Sequence, residues 1–193
     1  MTQQPVIIVS GLPRSGTSLM MQMLAAAGIE PLTDHTRRAD EDNPEGYYEL
    51  EAVKNTRADA SWLDHAGGRA VKIIHALIPD LPPGRAYRVI LMERDPDEVL
   101  ASQARMLERS GRAGAALAPA ALKRIYLAQL ETARRWISAA PGAELLEVNY
   151  NRLLADPAAE AARVAGFLGR PLAAAPMAAA VRPDLYRNRA GNA

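Results

Sequence analysis

The sequence contains no cysteine, which excludes disulfide bonds, thiolate metal sites and cysteine nucleophiles. It has only three histidines, and their scattered positions argue against a histidine-based metal site. The formal net charge is +1, and no basic run or interleaved aromatic stripe is present. The composition therefore gives no support for a nucleic-acid partner.

Long hydrophobic runs are also lacking. No segment approaches the length of a membrane span, and the first apolar strand begins by residue 6 without a charged leader or an apolar signal core. We therefore expect a cytoplasmic protein with no membrane span. The hydrophobic fraction of 49% and charged fraction of 23% are those of an ordinary globule, and 193 residues predict one domain, 1–193, around a single core.

Lysine is scarce, since the chain has 23 lysines and arginines together and only Lys54, Lys72 and Lys123 are lysines. Lys72 lies in the apolar run 70–74, which reads as a buried strand. A charged side chain there needs a reason. It either pairs with a carboxylate or serves a functional site.

The chain is organised around residues 6–18, which predict a buried strand, a loop bounded by Gly11 and Gly16, and a helix. In such a loop, free backbone N–H groups and the positive end of the helix dipole lie close together, and this arrangement favours phosphate binding. A tight corner without a ligand is the alternative interpretation.

The spacing Gly11-x-x-x-x-Gly16 invites comparison with the loop of nucleotide triphosphatases, which continues with Lys and then Ser or Thr. Here Thr17 stands in place of that lysine, and Arg14 is the cation of the loop. We therefore expect backbone N–H groups and three hydroxyl side chains to bind a phosphate. The loop lacks the lysine that binds the outer phosphates of a triphosphate together with its metal ion. The hydroxyl residues are Ser15, Thr17 and Ser18.

The remaining chain alternates apolar strands with amphipathic helices. Strands are predicted at 70–74, 87–92 and 145–148, and helices at 47–66, 96–109, 119–139 and from Asp156-Pro157 to about Gly169. This alternation predicts an α/β fold: a three-layer parallel sheet with helices on both faces, of the P-loop-containing nucleotide-binding type. Ligands of such sheets bind beyond the carboxyl ends of the strands.

Several polar residues fall at those strand ends. Lys72 and His75 lie around the second strand, Arg94 follows the third, and Tyr150 follows the fourth. Ser102 lies two turns into the helix after Arg94, so the two residues form a candidate second anion-binding pair. A surface arginine and an indifferent helical serine are the alternative.

Four segments carry a resemblance to a known family. Gly-Leu-Pro-Arg-Ser-Gly-Thr-Ser from Gly11 resembles the 5′-phosphosulfate loop of sulfotransferases that use 3′-phosphoadenylyl sulfate (PAPS). The run from Arg94 to Ser102, with Asp-Pro after the arginine, is similar to their 3′-phosphate site. The segment from Tyr150 to Asp156-Pro157 is similar to a segment of these sulfotransferases in which the tyrosine lies near the adenine of the donor. The tail 187–191, with Arg187 and Arg189, faintly resembles the Arg-Lys-Gly element of the family that also binds the 3′-phosphate, and a solvated basic tail is the simpler interpretation.

The resemblance implies a bacterial-like small sulfotransferase that moves a sulfuryl group from PAPS to a hydroxyl or amine and releases 3′,5′-bisphosphoadenosine (PAP), with no metal. It assigns Arg14 and Lys72 to the charge that develops on the leaving oxygen. It also implies a small-molecule, carbohydrate or lipid acceptor, bound over residues 30–66 and a flap at 110–119. It does not identify that acceptor or the oligomeric state.

Two residues compete for the role of base toward the acceptor. His75 follows the strand that carries Lys72, and Glu49 stands where other branches of the family use a glutamate. Glu45, His65 or no dedicated base are further alternatives. A histidine near its ordinary pKa would suit the role without tuning, whereas Glu49 would need its pKa raised by burial. His75 could also be an ordinary hydrogen-bonded core residue.

Two other functions stay open. A P-loop kinase or phosphohydrolase would need a lysine after Gly16 and an acid for magnesium, for which Glu93 is the nearest candidate. A non-catalytic nucleotide-binding module would keep the fold and bind the bisphosphate without transfer.

Overall fold

The computed structural model describes residues 4–34, 36, 46–110 and 117–182. Its centre is a parallel sheet of β1 (Val6–Gly11), β2 (Ala70–Ile74), β3 (Tyr87–Glu93) and β4 (Ala143–Asn149), in the order β2-β1-β3-β4. The chain runs from β1 to one neighbour and then crosses to the other side, so the sheet has its topological switch point at β1 and β3. The predicted parallel sheet is confirmed.

Six α-helices occur in the described part of the chain. They are α1 (Thr17–Ala26), α2 (Pro96–Ser110), α3 (Pro119–Ala139), α4 (Tyr150–Ala155), α5 (Pro157–Leu168) and α6 (Ala174–Ala179). Their ends follow local chemistry, because Pro119 and Pro157 occupy first helical positions and Gly169 ends α5 in the left-handed conformation. No helix in this part of the chain combines the length and apolar character needed to cross a bilayer.

Both faces of the sheet are covered by buried apolar side chains. On one face Val9, Ile90 and Met92 pack with residues of α1, α5 and α6. On the other, Ile8 and Val89 pack with residues of α3 and of three short 3₁₀ helices, Glu51–Asn55, Ser61–His65 and His75–Asp80. This arrangement confirms the predicted helices on both faces and fixes the strand ends at one edge.

The prediction of one helix over 47–66 is wrong, because the structure has two separate 3₁₀ helices in that stretch. Side chains compete here with the helical hydrogen bonds. The Thr56 hydroxyl donates to the Val53 carbonyl at 2.6 Å and accepts from Trp62 Nε1 at 3.1 Å, while Asp59 Oδ1 accepts from the Ser61 N–H at 2.9 Å. These bonds end one helix and begin the next.

Candidate active site

The carboxyl ends of the strands meet at one edge of the sheet. Gly11, which ends β1, is in register with Ile74 on β2 and with Met92 on β3. The loop after β1 and the segment after β3 therefore start side by side at the topological switch point, where sheets of this type bind ligands.

Two glycines let the loop after β1 pack closely. Gly11 has φ 152°, and a Cβ there would lie 2.7 Å from the Met92 carbonyl oxygen. Gly16 has φ 95° and caps α1, and a Cβ there would lie 2.4 Å from the Tyr150 ring. Any larger residue would combine backbone strain with a collision.

The start of α1 presents donors at the sheet edge. The first helical bond runs from the Met20 N–H to the Gly16 carbonyl at 3.1 Å, so the N–H groups that precede it lie at the positive end of the helix. Thr17 and Ser18 in this turn are half-buried. Ser15 differs, because its N–H donates to the Leu12 carbonyl and its hydroxyl is buried with no hydrogen-bond partner within the described residues. The loop thus turns the Ser15 side chain into the protein.

Lys72 reaches from the middle of β2 to the start of α1 and to the chain after Gly46. Its Nζ lies 3.3 Å from Ser18 Oγ, 3.7 Å from Glu49 Oε1, and within hydrogen-bond reach of the Tyr47 carbonyl. The Lys72 side chain is 12% exposed and that of Glu49 is 33% exposed. The structure thus brings together a cation, a carboxylate and the helix N-terminus. The pairing of Lys72 with a carboxylate, one of the two alternatives from the sequence, is present.

His75 lies beside this group in sequence but points into the protein. Its Nδ1 is 3.1 Å from the Gly11 carbonyl, its Nε2 is 2.9 Å from Gln129 Oε1, and its ring meets the Tyr126 ring edge-on at 6.0 Å. The carbonyl can only accept, so Nδ1 carries a proton, and Nε2 of the neutral ring can bond Gln129 only by accepting from the NH₂ end of its amide. Burial lowers the pKa of His75, and the bonds to Gln129 and Gly11 offset only part of that effect. Both ring nitrogens are engaged with protein groups.

Arg94 and Ser102, the candidate second anion pair, both contact the loop residue Arg14. Arg94 Nη1 donates to the Arg14 carbonyl at 3.0 Å, and Arg14 Nε donates to Ser102 Oγ at 3.1 Å. Arg94 and Ser102 are buried, at 5% exposure of the arginine side chain and 1% of the serine. The loop after β1 and the segment after β3 are thereby joined through a single residue.

The Tyr150 ring fills the space between these elements. It packs so closely against Gly16 that a Cβ on that residue would lie 2.4 Å from the ring. The ring centroid lies 4.8 Å from the Arg94 guanidinium in a cation–π contact. The three predicted segments around Gly16, Arg94 and Tyr150 therefore converge in the structure.

Glu98 is a site residue that the sequence interpretation missed. Glu98 lies three residues after Asp95, where a capping box is typical of a helix start, but its carboxylate accepts from Arg94 Nε at 2.9 Å in a buried pair. Asn151 Nδ2 also approaches Glu98 Oε1, at 3.4 Å. Arg94 lies two residues before α2, so the rule for pairs four residues apart on one helix face does not apply, and no local signal marked this pair.

Glu93 ends β3, where a magnesium-binding acid of a nucleotide kinase would be sought. Its carboxylate accepts from Arg134 Nη2 at 2.5 Å, and the same guanidinium donates through Nε to Glu147. Across the described ranges, no group of three or more His, Cys, Asp or Glu side chains is arranged to hold a metal ion.

Comparisons with known proteins bear on the family and the fold of the chain. A family model for the sulfotransferase domain matches residues 4–183. The sulfotransferase domain from the curacin biosynthetic pathway aligns with 98% of this chain and 80% of its own at 16% identity and a TM-score of 0.54. A sulfotransferase from Alicyclobacillus acidocaldarius aligns with 98% of this chain and 87% of its own at 16% identity and a TM-score of 0.52.

A third solved structure, a sulfotransferase from Mycobacterium avium, covers 93% of this chain and 67% of its own at 16% identity and a TM-score of 0.51. No curated protein matches the chain. At these identities the likeness to solved structures establishes the fold alone.

Proposed function

The chain belongs to the sulfotransferase domain family, and on that premise we propose that it transfers a sulfuryl group from PAPS to a hydroxyl or amine of an acceptor. The observation that carries the proposal is the presence of two groups of anion donors at one sheet edge. One is the start of α1, and the other is the cluster of Arg94, Ser102 and Arg14. A donor with phosphates on both sides of its ribose requires such an arrangement, whereas ATP does not.

The chemistry of the residues present fits this donor. The first turn of α1 offers backbone N–H groups, Thr17 and Ser18 to a 5′-phosphate. Arg94 and Ser102 supply donors for a 3′-phosphate, and each charge-assisted contact contributes about 1.5–3 kcal/mol. Tyr150 lies between the two groups, in contact with Arg94, and we assign it to the adenine side of the nucleotide, as the family resemblance implies. When bound, PAPS supplies the sulfuryl group, and PAP leaves.

Lys72 is the residue we assign to the charge that develops on the leaving oxygen. Its Nζ lies beside Ser18 at the positive end of α1, so cation and helix dipole act on the same point. Transfer of this kind passes through a loose transition state, by analogy with phosphoryl transfer, and the protein acts mainly through position and electrostatics. A fixed ammonium group at that point stabilises charge that appears only as the bond breaks.

Between the two candidate bases, we propose Glu49. Its carboxylate lies 3.7 Å from Lys72 Nζ and is partly exposed, so an acceptor hydroxyl could reach it. His75, by contrast, is 2% exposed, and its nitrogens face Gly11 and Gln129. His65 is exposed at the end of a 3₁₀ helix, and Glu45 lies outside the described residues.

The acceptor is proposed to bind near Glu49, over the part of the chain that precedes β2. Its class, whether small molecule, carbohydrate or lipid, stays a prediction. Most of the 110–119 segment, and the tail with Arg187 and Arg189, lie outside the described residues.

Of the two alternative functions, nucleotide phosphorylation has less structural support. Thr17 replaces the lysine that such enzymes need, and the Glu93 carboxylate is held by Arg134. A non-catalytic module would have no use for the Lys72–Glu49 pair beside α1. That pair is the observation that favours an enzyme.

Two measurements test the proposal. The first is release of PAP from PAPS in EDTA with a panel of alcohols, phenols, sugars and amines, against ATP turnover with magnesium. We expect acceptor-dependent PAP release in EDTA. The second is calorimetric titration with PAP, ADP and AMP, in which PAP should bind best. Magnesium-dependent ATP turnover, or equal affinity for the three nucleotides, would refute the proposal, and tight PAP binding without transfer to any acceptor would support the non-catalytic module.

A further inference from the structure

The main chain next to Glu49 has an unusual conformation. Tyr48, the residue before it, has φ 53°, a left-handed conformation that is uncommon for any residue other than glycine. The Tyr48 side chain packs against the core cluster that includes residues of β1 and α1. On either side of Tyr48, the Tyr47 carbonyl and the Glu49 carboxylate both face Lys72 Nζ. A conformation of this kind persists only where the surroundings fix it, and it is concentrated at functional sites.

Residues 30–34 lie beside the start of β2 and extend the edge of the sheet. Pro31 forms a parallel bridge with Ala70. The Ala70 N–H donates to the carbonyl of the residue before Pro31 at 3.0 Å, and the Ala70 carbonyl accepts from the N–H of the residue after it at 2.8 Å. Thr33 comes two residues after this bridge, as Lys72 does on β2. The segment therefore reaches Thr33 on the same side of the molecule as the Lys72–Glu49 pair.

Thr33 and Asp34 bind the main chain that carries Glu49. The Thr33 hydroxyl donates to the Glu49 carbonyl at 2.7 Å, and the Asp34 N–H donates to the same oxygen at 3.3 Å. The Asp34 carboxylate accepts from the Glu51 N–H at 2.6 Å. The main chain is thus held at Glu49 and again two residues later, by a segment that is itself bonded to β2.

From these contacts we infer that Thr33 and Asp34 are positioning residues, which direct the Glu49 carboxylate toward Lys72 and the acceptor by fixing the main chain on which it stands. The inference rests on the proposed function, in which Glu49 is the base. A half-buried carboxylate keeps a productive direction only while its Cα is fixed, and a displacement of about 1 Å can cost about a hundredfold in rate. Thr33 and Asp34 act through Glu49 and touch neither reactant.

The test compares Thr33→Val, which removes the hydroxyl donor at nearly constant volume, in the wild-type chain and in Glu49→Gln. In the wild-type chain we expect kcat to fall by about tenfold to about a hundredfold, with the dissociation constant for PAP within about twofold. In the Glu49→Gln chain the same substitution should change kcat by less than about twofold, because the group that it positions no longer acts as a base. Thr33→Ser keeps the donor and should retain kcat within about threefold.

Asp34→Ala removes the acceptor of the Glu51 N–H, and it should also lower kcat only while Glu49 is present. Thr132→Val is the matched control. The exposed Thr132 hydroxyl donates to the Ala128 carbonyl at 2.9 Å on α3, so this variant loses the same kind of bond at a residue with no part in the proposed site. It should keep the wild-type kcat in both chains.

A second readout needs neither donor nor acceptor. Amide hydrogen exchange, followed by NMR on the free protein, reports on the Asp34 and Glu51 N–H groups, which bond to Glu49 and Asp34. Thr33→Val should speed their exchange by about twofold to about tenfold, the factor that corresponds to one lost hydrogen bond. The amides of β1 should exchange at the wild-type rate, which separates a local change from unfolding of the whole protein.

Four results are distinguishable. If Thr33→Val lowers kcat equally with and without Glu49, Thr33 does not act through Glu49 and the inference is overturned. If amide exchange becomes faster while kcat stays at the wild-type value, the bonds exist without a role in transfer, and the inference is again overturned. If Glu49→Gln itself keeps the wild-type kcat, the inference fails although sulfuryl transfer stands. If the wild-type chain transfers nothing from PAPS, the proposed function fails, and the inference fails with it.

Discussion

Replacement of His75 by asparagine should lower the stability of the protein and leave sulfuryl transfer intact. The ring is buried between the end of β1 and helix α3, with contacts to Gly11, Gln129 and Tyr126. Asparagine can keep an N–H donor near the position of Nδ1, so the bond to the Gly11 carbonyl survives. The variant loses the bond at Nε2 and the edge-on ring contact.

These losses set the expected magnitude. A hydrogen bond contributes about 0.5–1.5 kcal/mol net, and an aromatic contact contributes about the same. Gln129 is half-buried and can be rehydrated, so no full penalty for an unpaired group applies. We therefore expect His75→Asn to lower the free energy of unfolding by about 1–3 kcal/mol at neutral pH.

The pKa of His75 adds a dependence on pH. Because burial lowers this pKa in the folded state, the unfolded chain takes up the proton first as the pH falls through the ordinary histidine pKa of about 6.5. The stabilising contribution of neutral His75 is thus fully present above that value. It decreases below it, by at most about 1.4 kcal/mol per pH unit, until the folded pKa is reached. His75→Asn should remove this slope, and the other histidines, identical in both proteins, cancel in the comparison.

The assay combines urea unfolding at about pH 7.5 and about pH 5.5 with transfer rates measured on the folded fraction. Glu49→Gln is the matched variant, and there we expect kcat to fall by about 10²–10⁴ with little change in stability. The reasoning is refuted if His75→Asn keeps its stability and loses at least about a hundredfold in kcat, because His75 would then be the base.

Three further predictions concern charge. Lys72→Met should lower kcat by at least about a hundredfold and change PAP affinity by less than about tenfold, because the negative charge that Lys72 faces develops only during transfer. Equal losses of kcat and of PAP affinity would instead assign Lys72 to binding of the ground state. Arg94→Met should lower the free energy of unfolding by about 3–5 kcal/mol, because it removes one partner of the buried ion pair with Glu98. Adding Glu98→Gln should recover stability but not PAP affinity, and recovery of both would contradict a binding role for Arg94. Transfer in excess EDTA should match transfer in magnesium, and a rate that needs the metal would favour phosphoryl chemistry.

The sheet and the long helices could be predicted because their signals are local. Four apolar runs, the proline starts of α2, α3 and α5, and the amphipathic pattern of α3 all lie within single segments. The break at Thr56 could not be predicted in this way, because it depends on a bond with Trp62, which the fold brings close. The helix predicted over 47–66 rested on the apolar residues Leu50, Val53 and Ala60, whose spacing carries no information about that bond.

The site was predictable to the level of segments and less so to the level of contacts. The ends of parallel strands must meet at one edge, and this rule predicted the loop after β1, Lys72 and Arg94 near one another. In the structure Lys72 Nζ reaches the start of α1, and Arg94 contacts Arg14. The direction of a side chain at a strand end is set by tertiary packing. The His75 side chain turns toward Gln129 on α3, 54 residues away in sequence. No sequence pattern around His75 predicts this direction.

The contact of Arg14 with Ser102 was unpredictable for a related reason. Position 14 adopts a positive φ that its residue type disfavours, and a local pattern would assign that conformation to a glycine. The buried pair of Arg94 and Glu98 stabilises Arg94 in place when no anion is present, and Arg94 in turn holds the Arg14 carbonyl. The cluster is therefore pre-organised before a ligand arrives, and its fixed donors need little rearrangement to receive a phosphate.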